Sequence, residues 1–122
     1  MSDTQRGRHL AILLFTTPYS SESTSTAIKL ARSAMRKGHK VTVFAYGDSV
    51  HNFTKGQRAT GITNAESEFQ ALIGEGLKVQ LCGTCLAFRG IRNELIMSGA
   101  EPSSMRNLCK LIDESDRFVS FT

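Results

Sequence analysis

The feature that most constrains the fold of this chain is the run from Leu10 to Phe15, where Leu10, Ala11, Ile12, Leu13, Leu14 and Phe15 follow one another without a polar break. A strand with one face in water alternates apolar and polar residues. A continuous apolar run is instead the mark of a strand buried on both faces, as in a parallel sheet covered by helices. Val41 to Tyr46 reads as a second strand and Lys78 to Leu81 as a third.

Helical patterns separate these strands. Thr16 to Ser25 is rich in Ser and Thr around Pro18 and reads as a loop ending in a helix cap. Ala27, Leu30, Ala31 and Ala34 then follow helical spacing, and Gly38 supplies the stop. Gly47 to Thr63 reads as a long polar loop carrying Asp48, His51, Asn52, Lys55 and Arg58. Asn64 caps a second helix with Ala65, Phe69, Leu72 and Ile73, closed by Gly74 and Gly76.

Ile91 to Met97 is ambiguous and reads as a helical turn or two, and Gly99 to Pro102 as a very short fourth strand. Ser103 or Ser104 caps a last helix with Met105, Leu108, Cys109 and Ile112 on one face, and Arg117 to Phe121 closes the chain as a strand. Strand and helix alternate throughout, which predicts a three-layer α/β/α fold with a mostly parallel five-stranded sheet. With no repeat, low-complexity tract or linker, residues 1–122 read as one domain with residues 1–8 as a flexible lead. At 122 residues the chain is long enough to bury a core without staples.

The formal charge of +4 is spread without a basic run, and aromatic residues are not interleaved with the basic ones. No nucleic-acid partner is therefore expected; a small anionic ligand or an acidic protein patch suits this charge better. No segment approaches the ~18 apolar residues of a membrane span, so no membrane partner is expected. Met1 to Gly7 is polar, unlike a secretory signal, and the three cysteines are an odd count. Both point to a reducing cytoplasm, where a Cys-x-x-Cys is reactive or metal-binding more often than structural.

Ligands of such sheets sit outside the carboxyl ends of the strands, which gathers three loops: Thr16 to Ser25, Tyr46 to Thr63 and Cys82 to Gly90. The third carries the strongest chemical signal. In Val79-Gln80-Leu81-Cys82-Gly83-Thr84-Cys85-Leu86-Ala87-Phe88-Arg89-Gly90 an apolar strand pattern breaks at a thiol and a glycine, and Arg89 follows seven residues later. A thiol at a strand end faces a site, and a helix starting after it presents an amide end that favours a thiolate.

Cys82 and Cys85 read either as reactive thiols or as two small buried hydrophobes. Zinc needs about four ligands, and a single Cys-x-x-Cys, even joined by His51, falls short; no metal is expected. A thioredoxin-like dithiol is the stronger rival, although the motif follows the third strand and Pro102 is poorly placed for the usual cis-proline. Arg89 reads as a solvated helix residue or as a fixed positive charge beside a thiolate or an anionic sulfur group. Tyr19, Tyr46 and His51 lie on the site side, to bind substrate or to serve their own loops. Leu86 and Phe88 suit a subunit interface or core packing. Cys109 reads as core filling, and His9 and His39, at the opposite end of the sheet, as solvated. No G-x-G-x-x-G, P-loop or Gly-x-Ser-x-Gly pattern occurs, so phosphate cradling and serine hydrolysis have no support.

Taken in order, several segments resemble the DsrE/DsrF-like sulfur-relay family. Leu81-Cys82 through Arg89-Gly90-Ile91 is similar to its cysteine loop, and Ala27 to Gly38 with His39-Lys40-Val41 to its first helix, Gly-His turn and second strand. Phe44-Ala45-Tyr46-Gly47-Asp48-Ser49-Val50 resembles its strand-to-loop segment, and Ser115-Asp116-Arg117-Phe118-Val119 its closing strand. The resemblance implies a parallel α/β sheet and assembly into homo-oligomers, trimers or hexamers. It also implies a thiol at the Cys82 position that carries a persulfide or sulfonate-bearing sulfur and passes it on. Cys85 departs from the DsrE and TusD branch, which has a small apolar residue there, and places the chain nearer the Cys-Gly-x-Cys members.

The function so implied is a sulfurtransferase-like sulfur carrier. Cys82 takes sulfane sulfur from a donor protein or small compound and yields it to an acceptor thiol. Cys85 guards or resolves the loaded state, and no cofactor takes part. The other readings are a non-catalytic oligomeric module and a Cys-x-x-Cys dithiol redox protein.

Overall fold

A computed structural model describes residues 7–122. Five strands, β1 (His9–Leu14), β2 (Lys40–Ala45), β3 (Lys78–Cys82), β4 (Ala100–Ser103) and β5 (Arg117–Phe121), form one sheet in the order β4-β3-β2-β1-β5. Every pairing in it is parallel, with Leu10 beside Val41 and Arg117, Val43 beside Val79, and Cys82 beside Ser103. The helices are α1 (Ser23–Arg36), α2 (Ala65–Gly74), α3 (Gly83–Phe88) and α4 (Met105–Glu114), with 3-10 helices at Gly47–Phe53 and Asn93–Leu95. The α/β fold and five-stranded sheet expected from the sequence are present.

Strand order fixes the layers. Successive strands from β1 to β4 step in one direction, and the chain then returns past β1 to place β5. With right-handed crossovers, α1 to α3 cover one face and α4 the other. The core follows, with Ala11, Ile12, Leu14, Val41, Val43, Phe44 and Leu81 closed against Ala27, Ile28 and Ala31 of α1 and Phe69 and Leu72 of α2. On the other face, Leu108 and Leu111 are the buried residues of α4.

Local chemistry sets the ends. The Asn64 side chain accepts from the Ser67 amide at 3.0 Å, capping α2, and the Ser104 hydroxyl does the same for the Asn107 amide at 3.2 Å, capping α4. Of the flexible lead expected over 1–8, residues 1–6 lie outside the described residues. Arg8 is held, its amide donating to His39 Nδ1 at 3.0 Å and its carbonyl accepting from the Lys40 amide at 2.8 Å.

Three expectations are corrected. The first half of the polar loop over 47–63 is the 3-10 helix Gly47–Phe53, in which Ser49, Val50, Asn52 and Phe53 are buried. The donors of its buried polar residues are met by backbone carbonyls: the Ser49 hydroxyl donates to the Leu14 and Tyr46 carbonyls, and Asn52 Nδ2 to those of Thr16 and Ser49, while Asn52 Oδ1 is buried without a partner among the described residues. Cys109 is exposed rather than core filling. Leu108 and Leu111 turn to the sheet, and Met105 and Ile112 stand in solvent with the cysteine. His9 is not simply solvated: its Nε2 lies 2.9 Å from Thr42 Oγ1, and desolvation and the Lys40 charge lower its pKa below the ordinary value.

Gly99 has φ +94°, and a Cβ there would meet Ile73 Cγ2 at 2.5 Å. Gly99→Ala is expected to cost about 1–3 kcal/mol, because the backbone is left-handed and the β-branched Ile73 has little freedom to move away. A urea midpoint unchanged from the parent protein would contradict this packing.

Candidate functional site

The loop after β3 is built around its first thiol. Cys82 is at once the last residue of β3 and the N-cap of α3, and its sulfur accepts from the Cys85 amide at 3.3 Å. Gly83 is needed directly after it, because a Cβ there would stand 3.2 Å from the Ser103 carbonyl oxygen of the neighbouring strand.

Cys85, one turn on, points back toward the end of β2, where its sulfur accepts from the Gly47 amide at 3.2 Å. Burial pushes the Cys85 thiol above its ordinary pKa, and its hydrogen bond with Cys82 pushes it the same way. The Gly47 amide and the more distant Arg89 charge pull it only partly back. At neutral pH Cys85 is therefore a protonated thiol.

Both thiols are nearly closed off, at 4% and 8% exposure, yet they line a cavity of about 670 Å³. Its walls come from three strand ends: Tyr46 and Gly47 after β2, the segment from Cys82 to Arg89, and Ser103, Ser104 and Met105 at and after β4. Phe88, 83% exposed, and Met105 make an apolar rim.

Arg89 is neither free in solvent nor aimed at a thiol. Its Nε and Nη2 donate to one oxygen of Asp48 at 2.9 and 2.6 Å, and its Nη1 to the Cys85 carbonyl at 3.1 Å. Of the other residues singled out in the sequence, Tyr46 joins the cysteines, its ring edge-on to Phe15 at 5.7 Å between centroids.

Tyr19 and His51 do not line this cavity. The Tyr19 hydroxyl donates to Gln57 and accepts from the Ala65 amide, tying its loop to the start of α2. His51 sits in the 3-10 helix, where its carbonyl accepts from Thr54 and Gln57. The loop over 16–25, one of the three expected at the site, lines a separate cavity of about 490 Å³ with Ile62 and Thr63.

Sequence reasoning missed two contributions. The segment after β4 supplies a wall of the site, a place that the register pairing Cys82 with Ser103 explains. Asp48 supplies the partner of Arg89, and its position directly after the Tyr46-Gly47 strand end was the available signal. Among the described residues no group of three or more His, Cys, Asp or Glu side chains is gathered to hold a metal ion. No helix among them is long and apolar enough to cross a membrane.

A thiol at the end of a parallel strand, N-capping a short helix and paired with a second thiol one turn on, defines a cysteine-centred α/β domain. Residues 8–121 match the DsrE/DsrF-like family, and the chain belongs to it. An uncharacterized protein of Methanopyrus kandleri is 30% identical over 92% of this chain and 93% of its own length. YchN of Escherichia coli is 27% identical over 85% of this chain and 91% of its own. The crystal structure of YchN superimposes with a TM-score of 0.88, covering 93% of this chain and 99% of that one at 24% identity. A protein of unknown function from Methanobacterium thermoautotrophicum has the same fold, with a TM-score of 0.74, 14% identity and coverage of 92% and 98%.

Proposed function

We propose that this protein is a sulfur carrier that holds sulfane sulfur as a persulfide on Cys82 and passes it to the thiol of an acceptor. The observation that carries this reading is the unequal setting of two adjacent thiols at one cavity. Cys82 sits at the strand end with its sulfur oriented by a backbone amide, and Cys85 beside it is held in the protonated form. Membership of a sulfur-relay-related family supports the same reading.

In the loading step the Cys82 thiolate attacks the outer sulfur of a donor hydropersulfide, R–S–SH. The new bond is Cys82–S to sulfur, the donor S–S bond breaks, and R–S⁻ leaves with the electron pair. In the delivery step an acceptor thiolate attacks the outer sulfur of the loaded cysteine and Cys82 is regenerated as a thiolate. Neither step changes the total oxidation state, and neither calls on a metal or an organic cofactor.

Cys85 decides how long the loaded state lasts. As a thiolate it would attack the inner sulfur, forming a Cys82–Cys85 disulfide and expelling hydrosulfide. Its raised pKa suppresses that discharge at neutral pH. Because protonation protects the persulfide, protection is lost as pH rises through a pKa lying above the ordinary value of 9.0. Sulfide release from the loaded protein should therefore climb above pH 9 and be absent from Cys85→Ser; release independent of pH or of Cys85 would remove this role.

The apolar rim of Phe88 and Met105, with Ile112 and Phe118 also exposed, supports assembly into trimers or hexamers, in which a second copy would cover such side chains. A reducing cytoplasm suits the free thiols. The reading is tested in a Cys109→Ser background, which removes the exposed third thiol, by incubating the reduced protein with an alkyl hydropersulfide and recording its intact mass. A gain of one sulfur atom in the parent protein and in Cys85→Ser, absent from Cys82→Ser, is expected. Equal gains in all three proteins would refute it.

A further inference from the structure

The cysteine cavity has one charged lining residue, Arg89, and that charge is already answered by Asp48. The remaining walls are apolar, hydroxyl-bearing or glycine, with Tyr46 at one side and Phe88 and Met105 at the rim. We propose that Asp48 is a specificity-determining residue: by holding Arg89 in an ion pair it keeps the cavity electrically neutral and turns away dianionic sulfur donors such as thiosulfate in favour of alkyl hydropersulfides, which react in their uncharged R–S–SH form. The inference rests on the sulfur-carrier reading and names the donor class for that same site.

Like charges repel at the reacting sulfur. A thiolate attacking thiosulfate brings a monoanion onto a dianion, and the expelled sulfite carries both charges away as the Cys82 persulfide forms. That approach needs a cation free to face the incoming sulfonate. Among the described residues Arg89 is the cation that lines the cavity, and two of its donors are spent on the Asp48 carboxylate at 2.6 and 2.9 Å while a third is spent on the Cys85 carbonyl. A hydropersulfide on an uncharged alkyl group brings no sulfonate and loses nothing by the pairing. Arg89 lines the cavity at 27% side-chain exposure and its partner Asp48 is 61% exposed, so the pair is open to an arriving donor.

Asp48→Asn keeps the shape and removes the charge. The test compares initial rates of Cys82 loading from thiosulfate and from an alkyl hydropersulfide, by intact mass in a Cys109→Ser background, at low and high ionic strength. In the parent protein the hydropersulfide should load and thiosulfate should load poorly. In Asp48→Asn the thiosulfate rate should rise about tenfold while the hydropersulfide rate holds, and added salt should erase the gain. Asp48→Glu should restore the parental ratio, and Arg89→Gln in the Asp48→Asn background should cancel the increase. Parental loading from hydropersulfide with an unchanged rate ratio in Asp48→Asn would overturn the role of Asp48 alone. Loading from neither donor in any variant would overturn the carrier reading and this inference with it.

Discussion

Cys82→Ser is expected to abolish sulfur loading while the fold survives. A hydroxyl at that place is far too weakly acidic and nucleophilic to take sulfur from a persulfide, so the loss should be complete rather than graded. The fold should tolerate the change for a specific reason. Cys82 N-caps α3 through its sulfur, and serine is among the preferred N-cap residues, with an oxygen that accepts the Cys85 amide in place of the sulfur. An unfolding free energy within about 1 kcal/mol of the parent, together with no mass gain from hydropersulfide in the Cys109→Ser background, is the expected pair of results. Retained loading would move the carrier role to another thiol.

The largest effect on stability should come from Phe53→Ala. Phe53 is fully buried at the end of the first 3-10 helix, and its ring lies 4.5 Å from that of Phe69 in α2. Truncation removes an aromatic contact and leaves a void between two elements, costing about 3–5 kcal/mol. The same helix supplies the Gly47 amide that holds Cys85 and the Asp48 carboxylate that holds Arg89. Because the Gly47 amide lowers the Cys85 pKa, losing that contact leaves the thiol more firmly protonated, and the effect should extend beyond stability to a slower discharge of sulfide. Denaturant unfolding measures the first part; a shift under 1 kcal/mol would mean that Phe53 is not a core residue.

The contrast between Phe53 and the strands shows where the sequence was readable. The strands were legible because their apolar runs admit few alternatives: Leu10 to Leu14 and Val41 to Ala45 fall in β1 and β2, and nothing but a covered parallel sheet buries both faces. The caps at Asn64 and Ser104 were legible for the same reason, as local chemistry with one partner.

The 3-10 helix was not, because Asp48, Ser49, His51 and Asn52 make it look like a solvated loop. Its buried side-chain donors, the Ser49 hydroxyl and Asn52 Nδ2, are met by carbonyls of Leu14 and Thr16, residues that only the folded sheet brings near. Val50 and Phe53, three apart, were the available signal for its buried face. Cys109 failed in the opposite way. Its helical spacing with Met105 and Ile112 is real, but the stripe that faces the sheet is that of Leu108 and Leu111.

The candidate site divides along the same line. The cysteine loop announced itself through residue type and spacing, and Tyr46 through its strand-end position. Asp48 and the segment from Ser103 to Met105 depend on strand order, since β4 lies beside β3 only after the chain has closed the sheet. Tyr19 and His51 were placed on the correct end of the sheet, yet neither lines the cavity that holds the thiols, because their hydrogen bonds serve their own loops.

The measurement that tests the central claim most directly locates the transferred sulfur. The parent protein, loaded from an alkyl hydropersulfide at neutral pH and alkylated, would be digested and the fragment holding Cys82 and Cys85 sequenced by tandem mass spectrometry. The account predicts the extra sulfur on Cys82, with Cys85 carrying a plain alkylated thiol. Sulfur on Cys85 instead, or on neither residue, would contradict it.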